Sequence, residues 1–428
     1  MAVRQAGAHC DTDLQMQLGN PSGATADPNN HDHYLITRPV EAMDYSDNLG
    51  EVHWASWDLT PPTDVGSSGR GNFQADPTLP AGFTPVSANS FSGYDRGHMC
   101  PSGDRTVSVA TNDLVFYMSN IIPQASAQNQ GVWASFEDYC RSTAGTVNEL
   151  LIMCGPSGFN GTTVNNGRTV FVPTNTWKIA VVVPSGPTNT TLSRIDYSTR
   201  VIALEIPNTD AAGSVPWSNF VTSAKQVQID TGLSFFTALP TNLAWVLRSK
   251  VDGHAAAAPV FTSFSPTSGL AGNSIVLTGT NLDSTTNVTF NGTSASYTIN
   301  SPTQITATVP VGATSGAITV MTLGGTVTSS SSFTITPPLS PQNVHTVFII
   351  VMENQNWASI SGNAEAPYIN NTLLPMASHA EQYFNPPGLH PSLPNYLWLE
   401  AGTNFGVTAD GDPSSYHQST TNHLVTLL

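Results

Sequence analysis

The chain has 428 residues, enough for about two or three domains, and its 13 basic and 29 acidic residues give a net charge of −16. Only 10% of the residues are charged, whereas glycine (34) and proline (31) are plentiful, a balance typical of β-rich extracellular chains. No apolar run approaches the ~18 residues of a membrane span. The acidic balance also excludes a broadly basic surface of the kind usual in nucleic-acid binders.

The N-terminal residues and the cysteines bear on the compartment of the protein. The composition leads us to expect an exported protein. Residues 1–7 lack the apolar core of a signal peptide, so we expect that the signal is not present in this chain. The four cysteines contain no Cys-x-x-Cys pair, which argues against a structural zinc site. About one or two disulfides are expected in an exported protein, with buried free thiols as the alternative. The cysteines are Cys10, Cys100, Cys140 and Cys154, which allow three pairings.

In chain order, the first predicted strand covers residues 53–59, where the side chains alternate. The first chemical motif follows as Asp95-Arg96-Gly97-His98, between a turn-rich segment and a proline, which places His98 at a strand end. A histidine can take a proton from water near neutral pH, and an arginine can hold a phosphate through two hydrogen bonds.

An amide, Asn129, and a carboxylate, Glu137, stand further along the chain. Their oxygens are hard ligands of the kind that Mg²⁺ prefers. The segment 129–141 lacks proline and carries apolar residues at helical spacing, which predicts a helix of about three turns. The two side chains lie about 80° apart after two full turns of such a helix, so both can lean towards one site. With His98 they suit hydrolysis of a phosphodiester by means of one divalent metal.

These motifs, with Asn120-Ile121-Ile122-Pro123-Gln124 between them, resemble the DNA/RNA non-specific endonucleases of the ββα-metal class. The motifs stand in the family's order and at its spacing, and the resemblance covers residues 9–253. It implies that His98 is the general base that activates water. It implies that Asn129 is the direct ligand of Mg²⁺ (or Mn²⁺), and that Glu137 holds metal-bound waters and aids protonation of the leaving group. Arg96 would contact the phosphate, and Arg70 matches the family's second arginine more loosely. Asn120 would support the site, and Asp95 would lie behind the metal ligands.

The activity implied by this resemblance is Mg²⁺-dependent cleavage of DNA and RNA without sequence or sugar preference, with weak, salt-sensitive binding. Two other classes of protein remain open. One is a phosphomonoesterase or phospholipase that uses the C-terminal segment. The other is a surface-binding protein with a decayed nuclease domain, although the intact His98, Asn129 and Glu137 argue against it.

The residue composition changes after the alanine-rich linker 255–259. About six short strands follow, with β-branched residues and Gly/Pro/Asn turns at close spacing, which predicts a β-sandwich over residues 258–337. The segment resembles the TIG (immunoglobulin-like, plexin and transcription-factor) family, which implies a spacer or a module that binds a surface or a glycan. Before the linker, strands are predicted at 150–156, 170–173, 177–183 and 201–208, and a helix at 218–231 that stops at Gly232.

Residues 343–428 begin with an apolar run that ends in an acid, which is typical of a buried parallel strand. This segment resembles the start of the phosphoesterase family, which includes acid phosphatases and phospholipases C. By that resemblance Glu353 and Asn354 are metal-site residues, Ser392 is the nucleophile and Asn395 lies near the transferred phosphate. The family's domain is longer, so we expect a truncated, inactive piece, with a reduced domain of another role as the alternative. The predicted fold class is α+β: a ββα-metal nuclease domain, an immunoglobulin-like β-sandwich and an incomplete α/β phosphoesterase fragment.

Overall fold

The computed structural model divides into two compact units, residues 1–338 and 339–428. It describes residues 12–336, 356–376, 387, 389, 391–417 and 419. Helices α1 to α6 of the first unit are Pro61–Asp64, Val109–Val115, Ser126–Gln128, Ala134–Ala144, Ala224–Thr231 and Thr241–Ser249. Strands β1 to β11 are Tyr34–Thr37, Ala42–Ser46, Glu51–Leu59, Asp95–His98, Ile121–Gln124, Asn148–Ser157, Thr162–Asn165, Arg168–Phe171, Asn175–Pro184, Arg200–Pro207 and Val221–Thr222.

A seven-stranded sheet in the order β1-β2-β3-β6-β9-β10-β11 forms the centre of this unit, and its neighbouring strands are antiparallel. Both of its faces are covered, so its central strands are near-continuous apolar runs. Along β6, Leu150 and Ile152 face a core that includes Phe136 of α4, whereas Leu151 and Met153 face a second core built with α5 and α6. The strands predicted at 53–59, 150–156, 170–173, 177–183 and 201–208 are confirmed.

The helix predicted at 218–231 is wrong in its first half. Residues Trp217–Phe220 form a 3-10 turn, and β11 then pairs with β10 at the edge of the sheet. The helix begins only after Ser223, whose Oγ accepts a hydrogen bond from the Gln226 amide at 3.1 Å. This serine is a preferred N-cap, and the two β-branched residues before it favour a strand. The stop at Gly232 is confirmed, since its φ of 74° is the left-handed conformation that glycine adopts readily.

The C-terminal part of the first unit, residues 260–335, is a β-sandwich. One sheet has the order β12-β14-β18-β17 and the other β13-β20-β19-β15-β16, with a core that includes Phe290 and Phe333. Helix α6 joins the sandwich to the part of the unit that contains the seven-stranded sheet. Its Val246 is buried in the sandwich core, and its Asn242 Nδ2 donates to the Tyr297 carbonyl at 2.7 Å. Strands β12 to β20 are Val260–Ser265, Ser268–Gly269, Ser274–Thr280, Thr285–Phe290, Thr293–Ser294, Tyr297–Ser301, Gln304–Thr308, Gly316–Thr322 and Gly325–Ile335.

The second unit contributes short helices among its described residues. These are α7 (Trp357–Ile360), a π-helical turn (Ile369–Leu373) that leads into α8 (Leu374–Met376), and α9 (Ser392–Ala401). The strand predicted at the start of this segment lies outside the described residues. Within the described part of the chain, no helix combines the length and the apolar character needed to cross a membrane.

The expectation of disulfides is wrong for the three cysteines that the structure describes. Cys100, Cys140 and Cys154 are free thiols, and each is at most 1% exposed. All three belong to the core that packs against α4, where a free cysteine acts as a small apolar side chain. Cys10 lies outside the described residues.

Candidate active site

His98 is the last residue of β4, as predicted. The short ribbon of β4 and β5 pairs His98 with Ile121 and Gly97 with Ile122, outside the main sheet. A glycine is needed at position 97, since a Cβ there would lie 1.7 Å from Gln124 Oε1. The imidazole is half-buried, but its Nε2 is closed off from solvent and has no hydrogen-bond partner among the described residues. A buried nitrogen of this kind is suited to receive a proton or a water.

Two phenylalanines, Phe73 and Phe116, form an aromatic platform beneath the site. Their rings meet edge to face at 4.9 Å, and the His98 ring lies 5.3 Å from the first and 4.7 Å from the second. The Arg96 guanidinium stands 3.8 Å from the centre of the Phe73 ring, and that of Arg70 stands 5.2 Å from the centre of the Phe116 ring. The platform therefore brings together the histidine and both arginines that the sequence singled out.

The electrostatics of this cluster keep His98 neutral. Burial lowers the pKa of its imidazole, and the charges of Arg70, Arg96 and Lys178 lower it further, to about 3. A neutral imidazole at physiological pH has a free lone pair on one ring nitrogen, which is the state that a general base requires.

The predicted helix at 129–141 is confirmed, with one local change in its winding. Helix α3 passes through a π-helical turn, Asn129–Trp133, directly into α4. Such turns are frequent at functional sites. Gly131 lies in the turn where a Cβ would meet the Gly213 carbonyl oxygen at 2.2 Å, so close packing of two backbones fixes the helix here. Trp133 Nε1 donates to the His98 carbonyl at 3.3 Å, which ties the helix to β4.

Asp95 holds the side chain of Asn129 in place. The carboxylate accepts hydrogen bonds from Asn129 Nδ2 at 3.1 Å, Gln130 Nε2 at 2.7 Å and Ser126 Oγ at 2.8 Å. Burial alone would raise the pKa of Asp95, but these hydrogen bonds lower it below its usual value. Because an ionised carboxylate only accepts, it fixes the amide nitrogen of Asn129 and turns the amide oxygen the other way.

Glu137 meets a cation that the motif did not reveal. Lys178 on β9 is 1% exposed, and its Nζ lies 3.2 Å from Glu137 Oε1. The same Nζ stands 4.1 Å from the centre of the Trp133 ring. Burial raises the pKa of Glu137, and Lys178 opposes that shift. A lysine inside an otherwise apolar strand was the sequence signal that could have found this partner.

Asn120 supports the site through the backbone. Its side chain accepts a hydrogen bond from the Cys100 amide at 2.9 Å, and its Nδ2 donates to the Cys100 and Val115 carbonyls. The residue is fully buried, so it fixes the chain just after His98 and does not face a substrate.

The donor set fits a hard divalent cation. The oriented amide oxygen of Asn129 and the carboxylate of Glu137 are both oxygen ligands on one helix, which Mg²⁺ favours. Of the four phosphoesterase predictions, Glu353 and Asn354 lie outside the described residues. Ser392 begins α9, and Asn395 Nδ2 donates to the Leu389 and Pro391 carbonyls.

An imidazole, two guanidinium groups, an amide and a carboxylate on a ββα unit are the groups that the sequence motifs assigned to an enzyme that cuts nucleic-acid backbones. Residues 19–242 match the family described as DNA/RNA non-specific endonuclease, and residues 259–362 match the IPT/TIG domain. The first match spans more than half of the chain, and the chain belongs to the DNA/RNA non-specific endonuclease family. It is a nuclease, in a family whose members are typically metal-dependent.

Two relatives and one solved structure are similar to this chain. A nuclease of Nostoc sp. is 37% identical over 241 residues, which cover 56% of this chain and 86% of that protein. Nuclease C1 of Cunninghamella echinulata var. echinulata is 29% identical over 242 residues, 52% of this chain and 88% of that protein. A chain from a crystal structure of an EndoG/EndoGI complex aligns with a TM-score of 0.45 at 20% identity, covering 57% of this chain and 96% of that one.

Proposed function

We propose that this protein hydrolyses the phosphodiester backbones of both DNA and RNA with Mg²⁺ and with His98 as the general base. The observation that carries the proposal is the buried Nε2 of His98, which has no hydrogen-bond partner among the described residues and is surrounded by cations. Asn129 and Glu137 would hold the Mg²⁺. When bound there, the ion would polarise the scissile phosphate and offset its growing charge.

The protein's own residues supply the remaining steps. His98 Nε2 takes a proton from the attacking water as its oxygen bonds to phosphorus, and Arg96 and Arg70 hold non-bridging phosphate oxygens as charge develops on them. The bond from phosphorus to the leaving oxygen breaks, and that oxygen takes a proton from a water that Glu137 would position. One N–H of Arg96 donates to the Ala88 carbonyl at 2.6 Å, which helps to hold the guanidinium 3.8 Å from the centre of the Phe73 ring. These groups recognise phosphate and leave the bases unread, which supports cleavage without sequence preference.

The test compares degradation of plasmid DNA and total RNA, with Mg²⁺ and with EDTA, by wild type and by His98→Ala. Wild type should cut both substrates only with metal, and the variant should lose at least about two to three orders of magnitude in rate, the scale of a general base. His254→Ala is the matched control, because His254 is exposed and its Nδ1 contacts the Asp252 carbonyl at 3.0 Å, away from the motif residues in the chain. Equal rates for wild type and His98→Ala would overturn the assignment.

We infer as well that the nuclease acts outside the cell and that the sandwich is a spacer or a surface-binding module. The low charge content and the abundance of glycine and proline support this inference. Fractionation of the source cells tests it, with nuclease activity in the medium and on washed cell surfaces as the expected result. Activity confined to the cell interior would contradict it.

A further inference from the structure

Three metal-ligating side chains meet at the β1 edge of the central sheet, in a part of the chain that the nuclease motifs do not include. They are Asp32, His33 and His53, called here the histidine cluster. One potential ligand atom from each lies within 4.8 Å of the others, and all three residues are half-buried. The first two precede β1, and the third lies on β3.

Both imidazoles point the same ring nitrogen at one carboxylate. His33 Nε2 lies 3.8 Å from Asp32 Oδ2, and His53 Nε2 lies 3.6 Å from Asp32 Oδ1. The two rings stack at 4.4 Å with 23° between their planes, so the nitrogens approach from the same side. With metal–ligand bonds of about 2.0–2.2 Å, the ligand atoms of a tetrahedral zinc ion lie about 3.3–3.6 Å apart. The two histidine–carboxylate distances, which end on different oxygens of Asp32, lie close to this range. The other distances between ligand atoms, at most 4.8 Å, must shorten when a metal binds.

Residues behind the cluster hold the ligands in place. His33 Nδ1 lies 2.9 Å from Asp44 Oδ2, and Asp44 is 0% exposed and also accepts from Ser22 Oγ at 2.6 Å. A buried carboxylate on the far nitrogen of a histidine fixes the tautomer that leaves Nε2 free for a metal. Asp32 Oδ1 accepts from Ser46 Oγ at 2.6 Å.

A β-bulge directs His53 to the cluster. In the pairing of β2 with β3, Asp44 faces Trp54 and Tyr45 faces Val52, which leaves His53 as the extra residue. Bulges commonly re-aim a side chain in this way. His53 Nε2 now makes a 2.9 Å hydrogen bond with the Asp32 carbonyl, and a metal would replace that bond.

We propose that the histidine cluster binds Zn²⁺, or a similar divalent transition metal, as a structural clip between the segment before β1 and the bulge of β3. Two imidazoles, one carboxylate and a water make a ligand set that zinc accepts. Imidazole suits zinc, nickel and copper, whereas Mg²⁺ prefers oxygen ligands and keeps most of its waters. The two sites therefore sort their metals by ligand type: oxygens of Asn129 and Glu137 for Mg²⁺, and the histidine cluster for zinc. The competing account is that both imidazoles contact the Asp32 carboxylate without any metal.

The experiment measures zinc bound to the full chain by elemental analysis after dialysis against Zn²⁺ with Mg²⁺ in excess, and records the Zn²⁺-dependent rise in Tm. Wild type should retain about one zinc per chain. His33→Ala and His53→Ala should lose that zinc and the rise in Tm, yet keep Mg²⁺-dependent cleavage of DNA, which shows that they fold. Asp44→Asn should weaken zinc binding about 10–100-fold, the usual effect of removing such a supporting carboxylate.

His31→Ala is the matched control. His31 lies next to the cluster, but it stacks on Phe83 at 4.4 Å and its Nδ1 contacts Asp47 at 3.0 Å. Its loss should leave zinc uptake unchanged. Should the alanine variants fail to fold, Asp32→Asn replaces them, because an amide oxygen can still accept from Ser46. Equal zinc in wild type and cluster variants, or no zinc in wild type, overturns the proposal and leaves the metal-free account.

Discussion

Lys178 Nζ lies 3.2 Å from Glu137 Oε1, and this contact joins the central sheet to the helix that carries the proposed metal ligands. The lysine is 1% exposed and is held between the indoles of Trp133, at 4.1 Å, and Trp57, at 5.4 Å. A buried cation of this kind is stable only with a partner. Glu137 is therefore oriented by a buried lysine of the neighbouring sheet.

Lys178→Met is expected to destabilise the nuclease domain strongly. The variant keeps the length of the side chain but leaves the Glu137 carboxylate buried without its partner, which costs about 3–5 kcal/mol. Thermal unfolding followed by tryptophan fluorescence measures the loss. The double variant Lys178→Met/Glu137→Gln should be more stable than Lys178→Met alone, because the unpaired charge is gone. Lys225→Met is the control: its ion pair with Asp283 is partly exposed and should contribute at most about 1 kcal/mol.

Asp95→Ala is expected to raise the Mg²⁺ concentration for half-maximal activity about 10–100-fold, the range for loss of a residue behind a metal ligand. The reason is that Asn129 loses the carboxylate that orients its amide. Metal titrations of cleavage measure the shift, and kcat at saturating Mg²⁺ should change less. Asp138→Ala serves as control, since Asp138 is 78% exposed on the same helix.

Asn129→Ala should impair metal use more than folding, and full activity at limiting Mg²⁺ would refute the ligand assignment.

Phe73→Leu is expected to lower kcat/KM about threefold to thirtyfold, the range of a partly desolvated cation–π contact. The ring supports Arg96 at 3.8 Å and touches His98 at 5.3 Å, and leucine offers neither a π face nor the same width. Steady-state kinetics on DNA measure the effect. Phe73→Tyr keeps the ring and should restore most of the activity. Phe159→Leu, at an exposed phenylalanine remote in sequence from the motifs, should change nothing.

The sequence predicted those parts of the fold that local patterns determine. Central strands buried on both faces are apolar runs, and the helix at 129–141 has a clear period. His98, Asn129 and Glu137 could be predicted as site residues because a family motif identifies acids, amides and bases without information on how the chain packs. Asp95 was expected behind the metal ligands, and the structure places it against the Asn129 amide.

What remained hidden depends on contacts between distant segments. The π turn at Asn129 needs the close approach of Gly131 to Gly213, far away in the chain. The aromatic platform joins Phe73 to Phe116, and both rings looked like ordinary core. The bulge that frees His53 is a property of strand pairing, which one strand alone does not reveal.

The three described cysteines are expected to resist modification in the native protein. Burial raises the pKa of each thiol, to about 12 for Cys154, so little thiolate forms. In a Cys10→Ser background, alkylation should reach Cys100, Cys140 and Cys154 only after denaturation, as mass spectrometry would show. The Tm should be the same with and without reductant. A Tm that falls on reduction would restore the expectation of a disulfide.

His98 is expected to act as a base in acid where an ordinary imidazole is already protonated. Burial, then Arg70, Arg96 and Lys178, lower its pKa from 6.5 to about 3. The base works when unprotonated, so kcat/KM at saturating Mg²⁺ should stay level as pH falls through 6.5 and decline only well below it. Between pH 6.5 and about 3, His98 is protonated in the unfolded chain but neutral in the folded protein. The free energy of unfolding therefore decreases as the pH falls through this range. Arg70→Gln removes one cation and should move the decline to higher pH, whereas Arg248→Gln, outside the groups that shift His98, should not. A wild-type decline centred near 6.5 would show that the imidazole is not desolvated in the working enzyme.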